Sequence, residues 1–98
     1  MVEKENVRNA MKKVLDPELG IDVVALGLVY DIKISNGEVR VEMTLTSPGC
    51  PMAPQIMADA EAKVGKVKGV SKVIIEFVFD PPWNPDKMSD DARMELRI

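Results

Sequence analysis

The sequence contains no histidine and only one cysteine, Cys50, among its 98 residues. A single chain therefore cannot assemble a four-ligand Cys/His metal site, and an internal disulfide bond is excluded. The commonest general base is also absent, which argues against histidine-dependent catalysis. Because structural disulfides are typical of oxidising compartments, their absence favours a reducing cytoplasm as the location of this protein.

Aromatic residues and long apolar runs are scarce as well. The chain has two Phe, one Tyr and one Trp, and its net charge is −3 without a clustered basic segment. Nucleic-acid binding requires a basic face, and stacked bases require aromatic side chains, so we predict no nucleic-acid partner. No apolar stretch approaches the length that spans a bilayer, so we predict no membrane partner. The chain length suits a single domain, residues 1–98.

Hydrophobic periodicity predicts the order helix, strand, strand, helix, strand, short helix. Alternation of apolar and polar residues predicts three strands: residues 28–34, 39–46 and 70–79. Helical spacing predicts a first helix ending at Asp16-Pro17, a second from about Pro51 to Val67, and a short one capped by Ser89 and running through Leu96. Asn36-Gly37 predicts a tight hairpin turn. The apolar loop that precedes the first strand is expected to pack on the core.

These elements predict an α/β (α+β) two-layer sandwich, with a small mixed three-stranded sheet and helices on one face. The second helix crosses over between strands two and three, which should therefore run parallel. Phe79 is expected on the core face and Thr44 on the opposite, open face. Two apolar residues, Ile74 and Val78, also fall on the open face, so either the Trp83 segment or a second copy of the chain should cover them. We predict a homodimer, with these three apolar residues as candidate partner-binding residues.

The single cysteine lies in Thr46-Ser47-Pro48-Gly49-Cys50-Pro51, between a strand pattern and a helix pattern. Proline is favoured at the first helical position, so Cys50 is expected at or beside the N-cap. The partial positive charge of a helix N-terminus favours thiolate over thiol. An accessible thiolate can attack an electrophile, bind a soft metal or exchange with another sulfur. A lone cysteine is also often a small buried hydrophobe, and this alternative stays open.

Two further segments that contain proline hold unusual residues. In Asp16-Pro17-Glu18-Leu19-Gly20 the two carboxylates could act as bases at a site, or Asp16 could instead bind local backbone N–H groups. Thr46 and Ser47 bring hydroxyl groups close to the thiol, although such hydroxyls also bond backbone groups. Within Asp80-Pro81-Pro82-Trp83, we expect Trp83 to serve in packing or as a partner anchor.

Together these segments resemble the small iron–sulfur assembly accessory domains of the SufT and PaaD type, formerly a domain of unknown function. The resemblance covers nearly the whole chain and is carried by four motifs: Asp16-Pro17-Glu18-Leu19-Gly20-Ile21-Asp22-Val23-Val24, Leu26-Gly27-Leu28-Val29-Tyr30, Thr44-Leu45-Thr46-Ser47-Pro48-Gly49-Cys50-Pro51 and Asp80-Pro81-Pro82-Trp83. It implies an α/β two-layer domain that helps to build or deliver iron–sulfur clusters, or to mature metalloproteins.

The resemblance also implies which residues form the site. The cysteine of the family corresponds to Cys50, its acidic loop to Asp16 and Glu18, and its hydroxyl pair to Thr46 and Ser47. Serine at position 47 replaces a common threonine and keeps the hydroxyl. Iron or a transient iron–sulfur cluster is the implied cargo, held by Cys50 with ligands from another chain. The implied partners are the iron–sulfur assembly machinery or client apoproteins.

Three functions stay open from the sequence. The leading hypothesis is a non-catalytic assembly factor that acts through the Cys50 thiolate. A cysteine-dependent enzyme, with Cys50 as nucleophile and Asp16 or Glu18 as base, is the second, but the missing histidine argues against it. The third is an interaction module that binds partners through Trp83 and the open sheet face, with a buried structural cysteine. Fast alkylation of the thiol at neutral pH would favour the first two.

Overall fold

Three strands and three α-helices follow one another in the predicted order. The structure is a computed structural model that describes residues 2–45 and 52–96. Its elements are α1 (Lys4–Met11), β1 (Val29–Ser35), β2 (Glu38–Met43), α2 (Ala53–Gly65), β3 (Lys72–Phe77), a short 3-10 turn (Pro85–Lys87) and α3 (Asp90–Leu96). None of the described helices is long and apolar enough to cross a bilayer. The α+β fold class is confirmed.

Strand β2 lies at the centre of the sheet, between β1 and β3. It pairs antiparallel with β1 and parallel with β3, as predicted, and the parallel pairing extends along both strands. Parallel neighbours need a long crossover connection, which contains α2. The connection between β1 and β2 is the predicted tight turn, in which Asn36 has a φ of 50° and Gly37 a φ of 82°. Positive φ at both central residues matches the twist of a two-residue hairpin.

The hydrophobic core lies between the sheet and the two longer helices. Helix α1 contacts α2 and β1, while α2 contacts β3. Each layer contributes buried apolar side chains: Val7 and Met11 from α1, Ile56, Ala60 and Val64 from α2, and Ile32, Val39, Val41 and Met43 from the sheet. Full burial of a side chain of this size stabilises a fold by roughly 1.5–3 kcal/mol. Packing of the helices on this sheet face is therefore the main source of stability.

The segment between α1 and β1 has little regular structure, yet it is part of the core. Its buried apolar residues are Val14, Ile21, Val23, Leu26 and Leu28. A buried loop must pair its own backbone groups, because an unpaired buried N–H or C=O is costly. The Val23 N–H donates to the Val14 carbonyl (2.9 Å), and the Leu28 N–H donates to the Val23 carbonyl (3.0 Å). The prediction that this loop packs on the core is confirmed.

After β3, the C-terminal segment returns to the loop that precedes β1. The Trp83 Nε1–H donates to the Leu26 carbonyl (2.6 Å), and the Ser89 N–H donates to the Ala25 carbonyl (2.7 Å). The Ser89 hydroxyl accepts the Ala92 N–H (3.1 Å), which is the predicted N-cap of α3. Ala92 itself is buried in the core, so the C-terminal segment belongs to the domain.

Both long helices are shorter than the apolar spacing predicts. Helix α1 ends at Met11, before Asp16-Pro17, and the chain continues in a turn where the Val14 N–H donates to the Met11 carbonyl (3.0 Å). Val14 thus reaches the core without being helical, which the spacing of apolar residues could not distinguish. Helix α2 ends at Gly65 rather than Val67. Its predicted first residue, Pro51, lies outside the described residues.

Two side chains near strand ends differ from the predicted alternation. Thr44 is predicted on the open face, but only 1% of it is exposed; it lies one residue beyond the end of β2, where its N–H donates to the Leu28 carbonyl (2.8 Å). Phe79 is predicted on the core face, but it is 44% exposed, because β3 already ends at Phe77. Alternation gives the direction of a side chain only while the strand continues.

A matched pair of glycine substitutions tests how closely the C-terminal segment packs. Gly20 and Gly27 both have left-handed φ angles, +70° and +75°, but a Cβ at Gly20 meets open space, whereas one at Gly27 overlaps the Lys87 carbonyl. We predict that Gly20→Ala lowers the free energy of unfolding by about 1–2 kcal/mol, the cost of the conformation. Gly27→Ala should cost a further ~2 kcal/mol from overlap. Denaturant unfolding measures both losses, and equal losses would contradict the close packing.

Candidate functional site

The candidate site surrounds the connection between β2 and α2. Three predicted site residues in this connection lie outside the described residues: Thr46, Ser47 and Cys50. The residues on each side are described. Leu45 is buried, and Met52 is half-buried at the N-cap of α2, where it makes no side-chain capping bond. Ala53 is the first helical residue and Pro54 lies in the first turn, so Cys50 precedes α2 by three positions in the sequence.

Asp16 is one of the two buried polar or charged residues in the described part of the chain, with 3% of it exposed. Its Oδ1 accepts the backbone N–H groups of Glu18 (2.8 Å) and Leu19 (3.3 Å). Its carbonyl accepts the Gly20 N–H (2.7 Å), and its own N–H donates to the Ile21 carbonyl (3.0 Å). An aspartate that bonds N–H groups two and three residues ahead fixes a turn. Asp16 therefore stabilises the turn conformation of the acidic loop.

Glu18 lies at the exposed tip of the turn that Asp16 forms. In the described part of the chain, its carboxylate takes part in no hydrogen bond or ion pair. The two predicted acidic residues therefore differ in environment, since one carboxylate is bonded inside the loop and the other faces solvent. A carboxylate in solvent can still accept protons, cations or donor groups from outside the chain.

The acidic loop lies against the first half of α2. One surface cleft, with a volume of about 550 Å³, is lined from the loop side by Leu15 and Pro17 and from the helix side by Gln55 and Ile56. Further along α2, Asp59 and Lys63 line the same cleft and form an ion pair of 2.7 Å. The structure thus brings the segment that carries Asp16 and Glu18 next to the helix that follows Cys50.

Thr44 is a candidate that the sequence pattern missed, because alternation predicts it on the open face. Its Oγ1 is buried and has no hydrogen-bond partner in the described structure. Buried hydroxyl groups are normally bonded, so an unpaired one calls for a partner. Thr44 directly follows β2 and precedes the predicted hydroxyl pair by two residues. Nothing in the sequence pattern separates its hydroxyl from those of ordinary exposed threonines.

Trp83 packs within its own chain. It is half-buried against the core, and its indole N–H is bonded to the Leu26 carbonyl. The intramolecular packing expected for this residue is therefore present. Its exposed part leaves the predicted role as a partner anchor untested.

Ile74 and Val78 are both half-buried, Ile74 near the middle of β3 and Val78 just beyond its last residue. Ile74 pairs in register with Arg40, far from the acidic loop along the strand. The Val78 N–H donates to the Met43 carbonyl (2.8 Å), so Val78 lies at the end of β2 where the connection to α2 begins. At the rise of a strand the two residues are about 13 Å apart. Only Val78 is thus near the candidate site.

No described cluster of three or more His, Cys, Asp or Glu side chains could hold a metal ion, a statement limited to residues 2–45 and 52–96. Asp16 is committed to backbone N–H groups, and Glu18 stands alone at the loop tip. The described side chains at this site can therefore provide one free carboxylate and one buried hydroxyl. None of these described side chains is a soft sulfur ligand, and the predicted metal contact of Cys50 stays a prediction.

Comparison with known families identifies the chain. The family model described as "Iron-sulfur cluster assembly protein" matches residues 4–77, about three quarters of the sequence. The chain belongs to this family. The match spans the acidic loop, the sheet and α2, and ends before the Trp83 segment. The resemblance to iron–sulfur assembly accessory domains is confirmed.

Two curated relatives are similar to the chain over almost their whole length. The "Fe-S protein maturation auxiliary factor YitW" of Bacillus subtilis is 44% identical over 97% of this chain and 94% of its own. The "Fe-S protein maturation auxiliary factor SufT" of Staphylococcus aureus is 43% identical over 87% of this chain and 98% of its own. Nearly the whole length of each of these relatives therefore has a counterpart in this chain.

Two solved structures have the same fold. A domain of unknown function from Bacillus anthracis superposes with a TM-score of 0.93 at 39% identity, covering 97% of this chain and 92% of that one. A conserved hypothetical protein from Thermotoga maritima superposes with a TM-score of 0.87 at 51% identity, covering 99% and 96%. Both alignments include the C-terminal segment, since they extend over nearly the entire chain.

The different environments of the two acidic residues predict different effects on stability. Asp16→Ala removes an acceptor of two backbone N–H groups, and we predict that it lowers the free energy of unfolding by about 2 kcal/mol. Glu18→Ala changes an exposed side chain and should alter the free energy of unfolding by less than about 0.5 kcal/mol. Denaturant unfolding of both variants measures the difference. Equal losses would show that Glu18 also stabilises the loop.

Proposed function

We propose that this protein is an accessory factor in iron–sulfur protein maturation, which helps clusters reach client apoproteins without catalysing a reaction itself. Membership in the assembly family and the names of the two full-length relatives support this proposal. The cluster, or iron alone, is cargo that the protein holds transiently. The proposed location is the cytoplasm, where a single thiol stays reduced.

The observation that carries the proposal is the position of the acidic loop beside the start of α2. Pro17 and Ile56 line the same cleft, so the loop and the helix that follows Cys50 are neighbours. We assign the cargo contact to Cys50, whose thiol would lose its proton to solvent so that the sulfur binds iron as a thiolate. Glu18 is the proposed second polar group, because its carboxylate is exposed, and Asp16 is the residue that positions it.

One cysteine cannot hold a cluster alone, so the remaining ligands must come from outside this chain. A second copy, the assembly machinery or a client could each supply thiolates. Thr46 and Ser47 are proposed as hydrogen-bond donors near the Cys50 sulfur, since such donors tune clusters held by thiolates. A homodimer is the simplest arrangement that provides two thiolates at once.

Anaerobic reconstitution with ferrous iron and sulfide tests the assignment of Cys50. We predict that the wild-type protein gains visible absorbance and a mass increment, and that Cys50→Ser gains neither. Ser35→Ala is the control, because it removes an exposed hydroxyl at the hairpin end of β1 and leaves the thiol and the proposed site in place. Glu18→Gln should bind less cargo than the wild type at an unchanged melting temperature.

Two outcomes of this experiment would contradict the proposal. Cluster formation in Cys50→Ser equal to that in the wild type would show that the Cys50 thiolate is not a cargo ligand. Cargo binding by Glu18→Gln equal to that of the wild type would exclude the carboxylate from the cargo site and leave the acidic loop as a structural element. The three variants share one assay, so the two assignments are tested separately.

Sedimentation tests the proposed homodimer through the open sheet face. Ile74 is half-buried on that face, and we predict that the wild type dimerises at high micromolar concentration while Ile74→Lys stays monomeric. Met94→Lys is the control, because Met94 is an apolar residue of α3 that is 76% exposed. A monomeric wild type would contradict the proposed dimer. Equal loss of the dimer in both variants would show that it does not form through the open sheet face.

A further inference from the structure

A β-bulge in the edge strand β1 changes the direction of Tyr30. The pairing with β2 moves from Val29↔Met43 to Asp31↔Glu42, which leaves Tyr30 without a partner residue. Bulges on edge strands commonly redirect a side chain, often next to a functional site. The Tyr30 hydroxyl donates to the Pro81 carbonyl (2.8 Å), so the ring is held against the C-terminal segment.

Two cations from distant parts of the sequence meet near this ring. The Lys87 Nζ lies 5.0 Å from the centroid of the Tyr30 ring, which is within the range of a cation–π contact. Lys87, Tyr30 and Arg8 of α1 all line one surface cleft, which has a volume of about 510 Å³. The other described residues of its lining are apolar or glycine: Val24, Gly27, Val29 and Pro81. The cleft therefore combines positive charge with apolar walls.

Carboxylates of the chain neutralise some of the described cations but not those of this cleft. Three described cations are paired with carboxylates: Lys33 with Glu42, Arg40 with Glu76, and Lys63 with Asp59. Over residues 2–45 and 52–96, neither Arg8 nor Lys87 forms an ion pair. Most other described Lys and Arg side chains also form no ion pair, so what distinguishes Arg8 and Lys87 is that both line one cleft with apolar walls, and this combination favours an anionic ligand from outside.

The position of Lys87 is fixed by the backbone. Its carbonyl lies so close to Gly27 that no side chain fits between them, and its N–H donates to the Asn84 carbonyl (3.1 Å). A ligand that meets preorganised groups loses less free energy in ordering them. The cleft is therefore built by tertiary contacts of the folded chain.

A second, smaller cleft of about 160 Å³ continues along the same strand. It shares Arg8, Val29 and Tyr30 with the first cleft and adds Lys4, Glu5, Asp31 and Ile32. The combined surface, which we call the β1-edge groove, has a basic end at Lys87 and Arg8 and an end of mixed charge at Lys4. It follows a strand that has no neighbour on its outer side in the described sheet.

We propose that the β1-edge groove binds an acidic segment of a partner protein in an extended conformation. A carboxylate would lie between Arg8 and Lys87, where the guanidinium offers paired N–H donors. The backbone of the segment would follow the free edge of β1, a common mode of peptide recognition. A free anion would use only the basic end, whereas the apolar walls and the length of the groove suit a peptide. This docking surface goes beyond the proposed function and does not involve Cys50.

The test uses a short fluorescein-labelled peptide of alternating Glu and Val, its counterpart with Gln for each Glu, and inorganic phosphate at equal ionic strength. We expect the Glu peptide to bind the wild type and to shift the amide NMR signals of Gly27, Tyr30 and Ile32. Arg8→Gln and Lys87→Gln should each weaken binding by about tenfold or more, as expected for a lost charge-assisted hydrogen bond. Arg40→Gln removes the same charge from the open sheet face and should bind normally.

Several outcomes would overturn the proposal. They are the absence of binding, equal binding of the Gln peptide, equal weakening by Arg40→Gln, or amide shifts confined to other surfaces. Phosphate binding at Arg8 and Lys87 without peptide binding would identify a small-anion site instead. Melting temperatures of all variants exclude loss of folding as the cause. Because the readout is peptide binding, failure here leaves the cluster reconstitution result unaffected, and the reverse also holds.

Discussion

Parallel strands cannot be joined by a short turn, and the pairing of β2 with β3 therefore determines where the rest of the chain can lie. The six positions from Glu38 to Met43 each have a partner on β3, so the chain must return across the sheet between them. Helix α2 makes this return on the face that it shares with α1. As a consequence, the connection that contains Cys50 leaves from the carboxyl end of β2 and enters the start of α2, where the acidic loop also lies.

The second constraint is the cost of burying a loop. The segment between α1 and β1 has no helix or strand to satisfy its backbone, and it does so with local bonds and with the Asp16 carboxylate. These bonds explain why a charged residue can be buried there, since its oxygen accepts two N–H groups. The same segment offers the Leu26 carbonyl to Trp83 and the Ala25 carbonyl to Ser89, which attaches the C-terminal segment to the core.

Most of the fold follows from local signals in the sequence. Asn36-Gly37 fixes one hairpin, the crossover predicts the parallel third strand, and Ser89 marks the start of α3. The errors lie where a tertiary contact overrides a periodic pattern. Thr44, which lies beyond the last residue of β2 and whose N–H donates to the Leu28 carbonyl, is buried where alternation predicts exposure. The candidate site is harder to predict, because the roles of two neighbouring carboxylates depend on which backbone N–H groups the loop presents to them.

The loop between α1 and β1 contributes to two separate surfaces. Leu15 and Pro17, near its start, line the cleft beside α2, while Val24 and Gly27, near its end, line the β1-edge groove. Because its backbone bonds connect the two ends, the segment is expected to lose its structure as a unit. A substitution that breaks this bonding would therefore disturb both surfaces, whereas a change in an exposed side chain such as Glu18 would alter only one. Variants of the second kind separate the proposed cargo binding from the proposed partner docking.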